Sequence, residues 1–142
     1  MKKQIQPSIS APVRDLLIQT ARDAAANAYC PYSRYPVGAA VLTMDGQIYS
    51  GCNVENISYG LSMCAERTAL FKAVGDGCRT FAALAVAGGD KRPASPCGAC
   101  RQVLAELCPP TLPVFITRLK KGGGVTSTTL GELLPLSFSS LA

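Results

Sequence analysis

The chain contains no histidine and no tryptophan. Without imidazole, any metal ligand or general base has to come from Cys, Asp, Glu, Lys or Tyr. Aromatic residues make up only 6% of the 142 positions, which leaves little material for a base-stacking platform of the kind single-strand binders use. No apolar run approaches the roughly 20 residues needed to cross a bilayer, so a membrane-spanning helix is excluded. Blocks of one charge are missing as well. The net charge is +5, yet the basic residues stand singly or in pairs, as at Lys2-Lys3, Lys91-Arg92 and Lys120-Lys121. That scatter reads as a solvated surface, and no nucleic-acid partner is expected from it. The opening Met1-Lys2-Lys3-Gln4 runs into Gln6-Pro7-Ser8 rather than into an apolar stretch, so no secretory leader is expected.

What is present is a hydrophobic content of 48% and seven cysteines. An odd cysteine count without a leader points to a reducing cytoplasm, with thiols free or metal-bound. The length suits one domain over residues 1–142, large enough to bury a core without disulfide staples. Val13, Leu16, Leu17, Ala21, Ala24 and Ala28 recur at three-and-four spacing, with Ser10 as cap and Pro12 in the first turn, predicting a helix over 10–29. Strands are expected over 37–44 and 47–52, joined at Asp45-Gly46 by a two-residue hairpin turn. A helix should open near Cys64 and stop at Gly75 and Gly77. The apolar run 80–87 reads as a buried strand, and a helix over 97–107 should end at Pro109-Pro110. Strands over 113–119 and 125–128 flank Gly122-Gly123-Gly124, and Thr129 caps a last helix through Glu132 to Leu134. Helices alternating with strands imply an α/β chain with a single sheet covered on both faces.

The most informative motif is Cys64-Ala65-Glu66, followed later by Pro96-Cys97-Gly98-Ala99-Cys100. It offers three thiolates and one carboxylate. Three protein ligands on a tetrahedral zinc leave a fourth place open, the arrangement of a catalytic rather than a closed structural site. All three cysteines fall at predicted helix starts, where the helix dipole favours thiolate over thiol. Three thiolates on one divalent cation leave a net charge of minus one, which weakens its power to acidify water. Arg67 and Arg101 are placed to offset this by hydrogen bonding to the sulfurs. Glu66 alone would be an ordinary first-turn carboxylate, but beside three cysteines it is a proton carrier.

Cys64-Ala65-Glu66-Arg67 together with Pro96-Cys97-Gly98-Ala99-Cys100-Arg101-Gln102 resembles the small zinc-dependent cytidine deaminases in their all-cysteine form. The likeness extends from Cys30-Pro31-Tyr32-Ser33 through Gly51-Cys52-Asn53-Val54-Glu55-Asn56 to Leu133-Leu134-Pro135 and Phe138. It implies a three-layer α/β/α fold with one mixed sheet of about five strands. It also implies hydrolytic removal of the C4 amino group of cytidine and 2′-deoxycytidine as pyrimidine salvage, one zinc per subunit, and a homotetramer with composite sites. Cys64, Cys97 and Cys100 are then the metal ligands and Glu66 the proton shuttle, a role general to zinc deaminases. The family's ribose-binding positions fall on Asn53 and Glu55. Tyr35 stands where the family places a ring against the pyrimidine, usually Phe. Tyr59 and the backbone around Ala65 are expected against the nucleoside, and Phe138 at a neighbouring subunit's site.

Cys30, Cys52, Cys78 and Cys108 read as small hydrophobes, unless one of them closes the zinc site as a fourth ligand. A fourth ligand would favour a structural zinc module over an enzyme. Deamination of a polynucleotide base or of a nucleoside antibiotic would carry much the same zinc motif.

Overall fold

The structure, a computed structural model, describes residues 8–141. The Met1-to-Pro7 stretch, read above as lacking a secretory leader, lies outside them. The element order is α1 (Ala11–Ala25), β1 (Val37–Thr43), β2 (Ile48–Cys52), a single 3₁₀ turn (Tyr59–Leu61), α2 (Ala65–Gly75), β3 (Phe81–Gly88), α3 (Gly98–Leu107), β4 (Pro113–Thr117), β5 (Val125–Thr129) and α4 (Leu130–Leu133). The strands form one five-stranded sheet in the order β2-β1-β3-β4-β5. Only β3 and β4 run parallel, with α3 as their crossover; the other neighbours are antiparallel. The mixed sheet expected from the resemblance is what forms.

Each face of the sheet has its own core. Leu17, Ile18 and Ala21 of α1 pack on Ala40, Leu42, Ala83, Ala85, Ala87 and Phe115. On the opposite face α2, α3 and α4 bring Ala65, Ala69, Leu70, Leu104 and Leu130 against Ala39, Val41, Leu84, Val86 and Val114. Alternation along β1 sends Ala39 and Val41 one way and Ala40 and Leu42 the other, as the pleat requires. Every residue of β3 is buried, as its continuous apolar run demands of a central strand. Two glycines let the helices sit down on the sheet. A methyl at Gly38 would overlap the Ala21 carbonyl of α1, and one at Gly51 would lie 2.5 Å from the Ala69 nitrogen of α2.

Three sequence expectations are corrected. The first helix ends at Ala25, not at 29, although Ala24, Ala26 and Ala28 are good helix formers. Asn27 and Ala28 bond only three residues back, and Tyr29 leaves to pair with the 53–55 segment, donating to Asn53 O (3.0 Å) and accepting from Glu55 N (2.8 Å). Tertiary pairing overrides local propensity there. The hairpin is closed by three residues, not two. Gly46 donates to Thr43 O, Thr43 donates to Gln47 O at 2.8 Å, and Gly46 takes φ +92°, a type I turn followed by a left-handed residue. The fourth strand stops at Thr117 rather than at 119, because Leu119 donates to Gly89 O in a neighbouring loop.

Candidate active site

The site is built from the first turns of two helices lying side by side on one face of the sheet. Cys64 is the N-cap of α2 and Cys97 the N-cap of α3, and neither sulfur caps its own helix. Cys100 follows one turn into α3 and is fully buried. The three sulfurs lie within 4.8 Å of one another, with Cys64 and Cys97 at 3.8 Å. Two sulfurs each about 2.3 Å from a tetrahedral zinc stand about 3.8 Å apart, so the trio fits that ion. Among the described residues no fourth cysteine joins the group. Cys108 is buried in the core, where burial pushes its thiol up to about 12, and Cys78 lies 3.7 Å from the Tyr49 hydroxyl.

Protonation is shared among the clustered thiols. A hydrogen bond from Cys100, helped by Arg67 against the cost of burial, draws the Cys64 thiol down to about 5, while Cys100 is held well above its usual range. Arg67 Nη2 donates to Cys64 Sγ at 3.4 Å, as the sequence suggested. Arg101 does not reach a sulfur. Its Nε donates to Pro96 O (2.7 Å), Nη1 to Leu133 O (2.7 Å) and Nη2 to Ser95 Oγ (2.9 Å), which clamps the entry to α3 against α4.

Glu66 is 4% exposed, an unusual depth for a carboxyl. Burial raises its affinity for a proton, partly offset by a hydrogen bond with Cys100. Three cysteine sulfurs, a buried acid and an arginine facing one sulfur thus share one small volume. Such a set can hold a zinc with an open position and move protons beside it.

The remaining predicted residues are placed by their contacts. Asn53 follows β2, and its side chain is already engaged: Oδ1 accepts from Val37 N and Nδ2 donates to Tyr35 O, both at 2.9 Å. That leaves one lone pair and one N–H free for a ligand hydroxyl. Glu55 Oε1 accepts from the backbone of Tyr32 and Ser33, each at 3.0 Å, and contacts with Ser33 hold its carboxyl below the usual range. Glu55 and Tyr59 share a cavity of about 310 Å³ with Tyr32, Ser33 and Ser62. Tyr32 and Tyr59 meet edge to face at 5.9 Å between ring centres. Tyr35 is half exposed, and its hydroxyl rests on Gly89, where a methyl would come within 2.6 Å. Ala65 is buried in the first turn of α2. Phe138 is 68% exposed, its carbonyl held by Gln102 Nε2 at 2.9 Å, and it does not line this chain's own cavity. Ser62 and Gln102 had no residue-type signal that would have singled them out.

Over residues 13–116 the chain matches the cytidine and deoxycytidylate deaminase zinc-binding region. A cytidine deaminase of Sporosarcina psychrophila is 55% identical over 123 residues, covering 87% of this chain and 89% of that protein. One from Halalkalibacterium halodurans is 52% identical over 127 residues, covering 89% and 95%. The crystal structure of cytidine deaminase from Burkholderia pseudomallei superposes with a TM-score of 0.84 at 51% identity, over 92% of this chain and all of the other. The cysteine trio therefore sits in a familiar framework, and the chain belongs to the zinc-dependent cytidine and deoxycytidylate deaminase family.

Proposed function

We propose that the protein hydrolyses free cytidine and 2′-deoxycytidine to uridine and 2′-deoxyuridine, releasing ammonia. The observation that carries this reading is the juxtaposition of the Cys64, Cys97 and Cys100 sulfurs with the buried Glu66. Those sulfurs would hold zinc, which when bound supplies a Lewis acid that makes water nucleophilic at neutral pH. Glu66 takes the proton of the attacking water, protonates N3, and assists departure of the C4 amino group as ammonia. Arg67 offsets the excess charge of the thiolates. Asn53 and Glu55 take the ribose hydroxyls, with Tyr35, Tyr59 and the Ala65 backbone against the nucleoside. That no fourth cysteine joins the trio among the described residues argues for an open site over a closed structural zinc.

The assembly reading is a homotetramer of one-domain subunits. Its support is the exposure of Tyr59 and Phe138, at 74% and 68%, of which Tyr59 lines the cavity it shares with Glu55. A second copy would cover those rings, and its Phe138 would reach this site. The seven free cysteines suit a reducing cytoplasm, where salvage of pyrimidine nucleosides would be the role.

Turnover of cytidine, followed as uridine formed, tests the reading in zinc-loaded and zinc-stripped protein. Conversion should require zinc. Glu66→Gln should lower kcat by about 10³-fold, the middle of the general acid–base range, with zinc content unchanged. A folded, zinc-loaded protein that leaves cytidine untouched would sink the reading.

A further inference from the structure

Two basic pairs that stand far apart in the chain meet at one end of the sheet. Parallel pairing of β3 with β4, which sets Ala87 beside Thr117, brings the segments leaving these strands side by side. The 88–96 and 118–124 loops are then tied together. Leu119 N donates to Gly89 O at 3.3 Å and Arg118 Nη1 to Asp90 O at 3.2 Å. Lys91, Arg92, Arg118, Lys120 and Lys121 all lie within three residues of the Leu119–Gly89 bond. Arg22 reaches the same place from α1, donating to Arg118 O (3.2 Å) and Thr117 Oγ1 (2.9 Å).

The charge there is not compensated. The two loops hold five cations against Asp90, a net of +4 in a chain whose whole net charge is +5. Among the described residues the ion pair is Arg14–Asp15, so none of these cations is neutralised by a carboxylate. Asp23, next to Arg22, is bonded by Gln19. Lys91, Arg92, Lys120 and Lys121 are exposed. Uncompensated, solvated charge of one sign marks a surface that attracts polyanions. A membrane surface would call for apolar side chains able to insert, whereas Leu119, the one large apolar residue of these loops, packs into the core beneath α1. An acidic protein partner would call for buried aromatic anchors. A nucleic-acid backbone needs only long cations on a rim, which the four exposed side chains supply.

We propose that these two loops form a docking surface for nucleic acid, held through its phosphates and separate from the deamination chemistry. Pairs that stand isolated in the chain are neighbours in the fold, so the scatter of charge along the sequence does not display the patch. Phosphate contacts from the four exposed cations give a slope of log affinity on log salt of about −2.8 on a single-stranded probe, so a fourfold rise in salt should weaken binding about fiftyfold.

The test is fluorescence anisotropy of a labelled uridine oligomer, which carries no amino group to remove, titrated with the zinc-loaded protein at low and raised salt. A glutamate oligomer of equal charge and anionic vesicles serve as comparison probes. The expected result is oligonucleotide binding with the steep salt dependence above. It should be lost in a Lys91→Glu, Arg92→Glu, Lys120→Glu, Lys121→Glu variant whose cytidine turnover is unchanged. A Lys120→Gln, Lys121→Gln variant, with little risk to folding, should weaken binding and flatten the salt slope. Equal binding by the variants, binding insensitive to salt, no binding at low salt, or equal affinity for the glutamate oligomer or vesicles would overturn the proposal.

Discussion

Glu55 carries a consequence that does not depend on catalysis. Its carboxylate accepts two backbone N–H bonds that pin the Tyr32–Ser33 turn, and the Ser33 side chain first, then these backbone bonds, hold its pKa below the usual value of 4.5. A carboxyl depressed in the folded state contributes stability that is fully present above its unfolded pKa and is lost as pH falls through the folded one. Glu55→Gln should therefore be less stable than the parent near neutrality. The gap should narrow between about pH 5 and pH 3, where the parent's carboxylate is protonated. Urea midpoints of both proteins at each pH check this, since metal loss common to both cancels; a gap that stays constant with pH would refute it. At this scale the site was readable where chemistry is local. The cysteines and Glu66 announce themselves by type and spacing, and Arg67, three residues after Cys64, faces that sulfur across one helical turn. Arg101 was not readable, because the acceptors that win it include Leu133 O, 32 positions away.

The elements were legible where caps and breakers agree with periodicity. Ser10 accepts from Val13 N at the start of α1, and Thr129 accepts from Glu132 N at the start of α4. The end of α2 follows from Gly77 at φ +94°, which lets Cys78 N reach Ala73 O and Gly77 N reach Val74 O. The end of α1 was illegible, since an alanine-rich stretch says helix and only a strand-like partner 25 residues on, at Val54, pulls Tyr29 away. Contact between elements gives a sharper prediction than their boundaries. Because α1 rests directly on β1 at Gly38, Gly38→Ala should lift the helix off the sheet and cost about 3 kcal/mol, the upper part of the overpacking range. Gly75→Ala, at the end of α2 with nothing near the added methyl, should be neutral or stabilising by up to about 1 kcal/mol. Denaturant unfolding of the two variants decides; equal midpoints would show that α1 can retreat without loss.

At the scale of the molecule, the layered α/β class was legible but the strand order was not. Nothing in the local pattern says that β1 lies between β2 and β3, or that β3 and β4 alone run parallel; loop-to-loop bonds and the burial of β3 on both faces settle it. That architecture bears on what the metal does for stability. The sulfurs lie at the N-termini of α2 and α3, so a zinc held by them would act as a cross-link within one layer. Neither core depends on it: the α1 face packs without touching the site, and the other face is filled by Leu70, Phe81, Leu104, Leu112 and Val114. Chelation should therefore abolish turnover and lower the melting temperature while leaving the far-ultraviolet circular dichroism intact. The stabilisation lost is that of a bound ligand, about 4 kcal/mol where free metal stands at a thousand times its dissociation constant. Re-addition of zinc should restore melting temperature and activity together. A chain whose circular dichroism collapses on chelation would instead behave as a fold nucleated by its metal, in which the thiolate trio is a staple first and a reaction centre second.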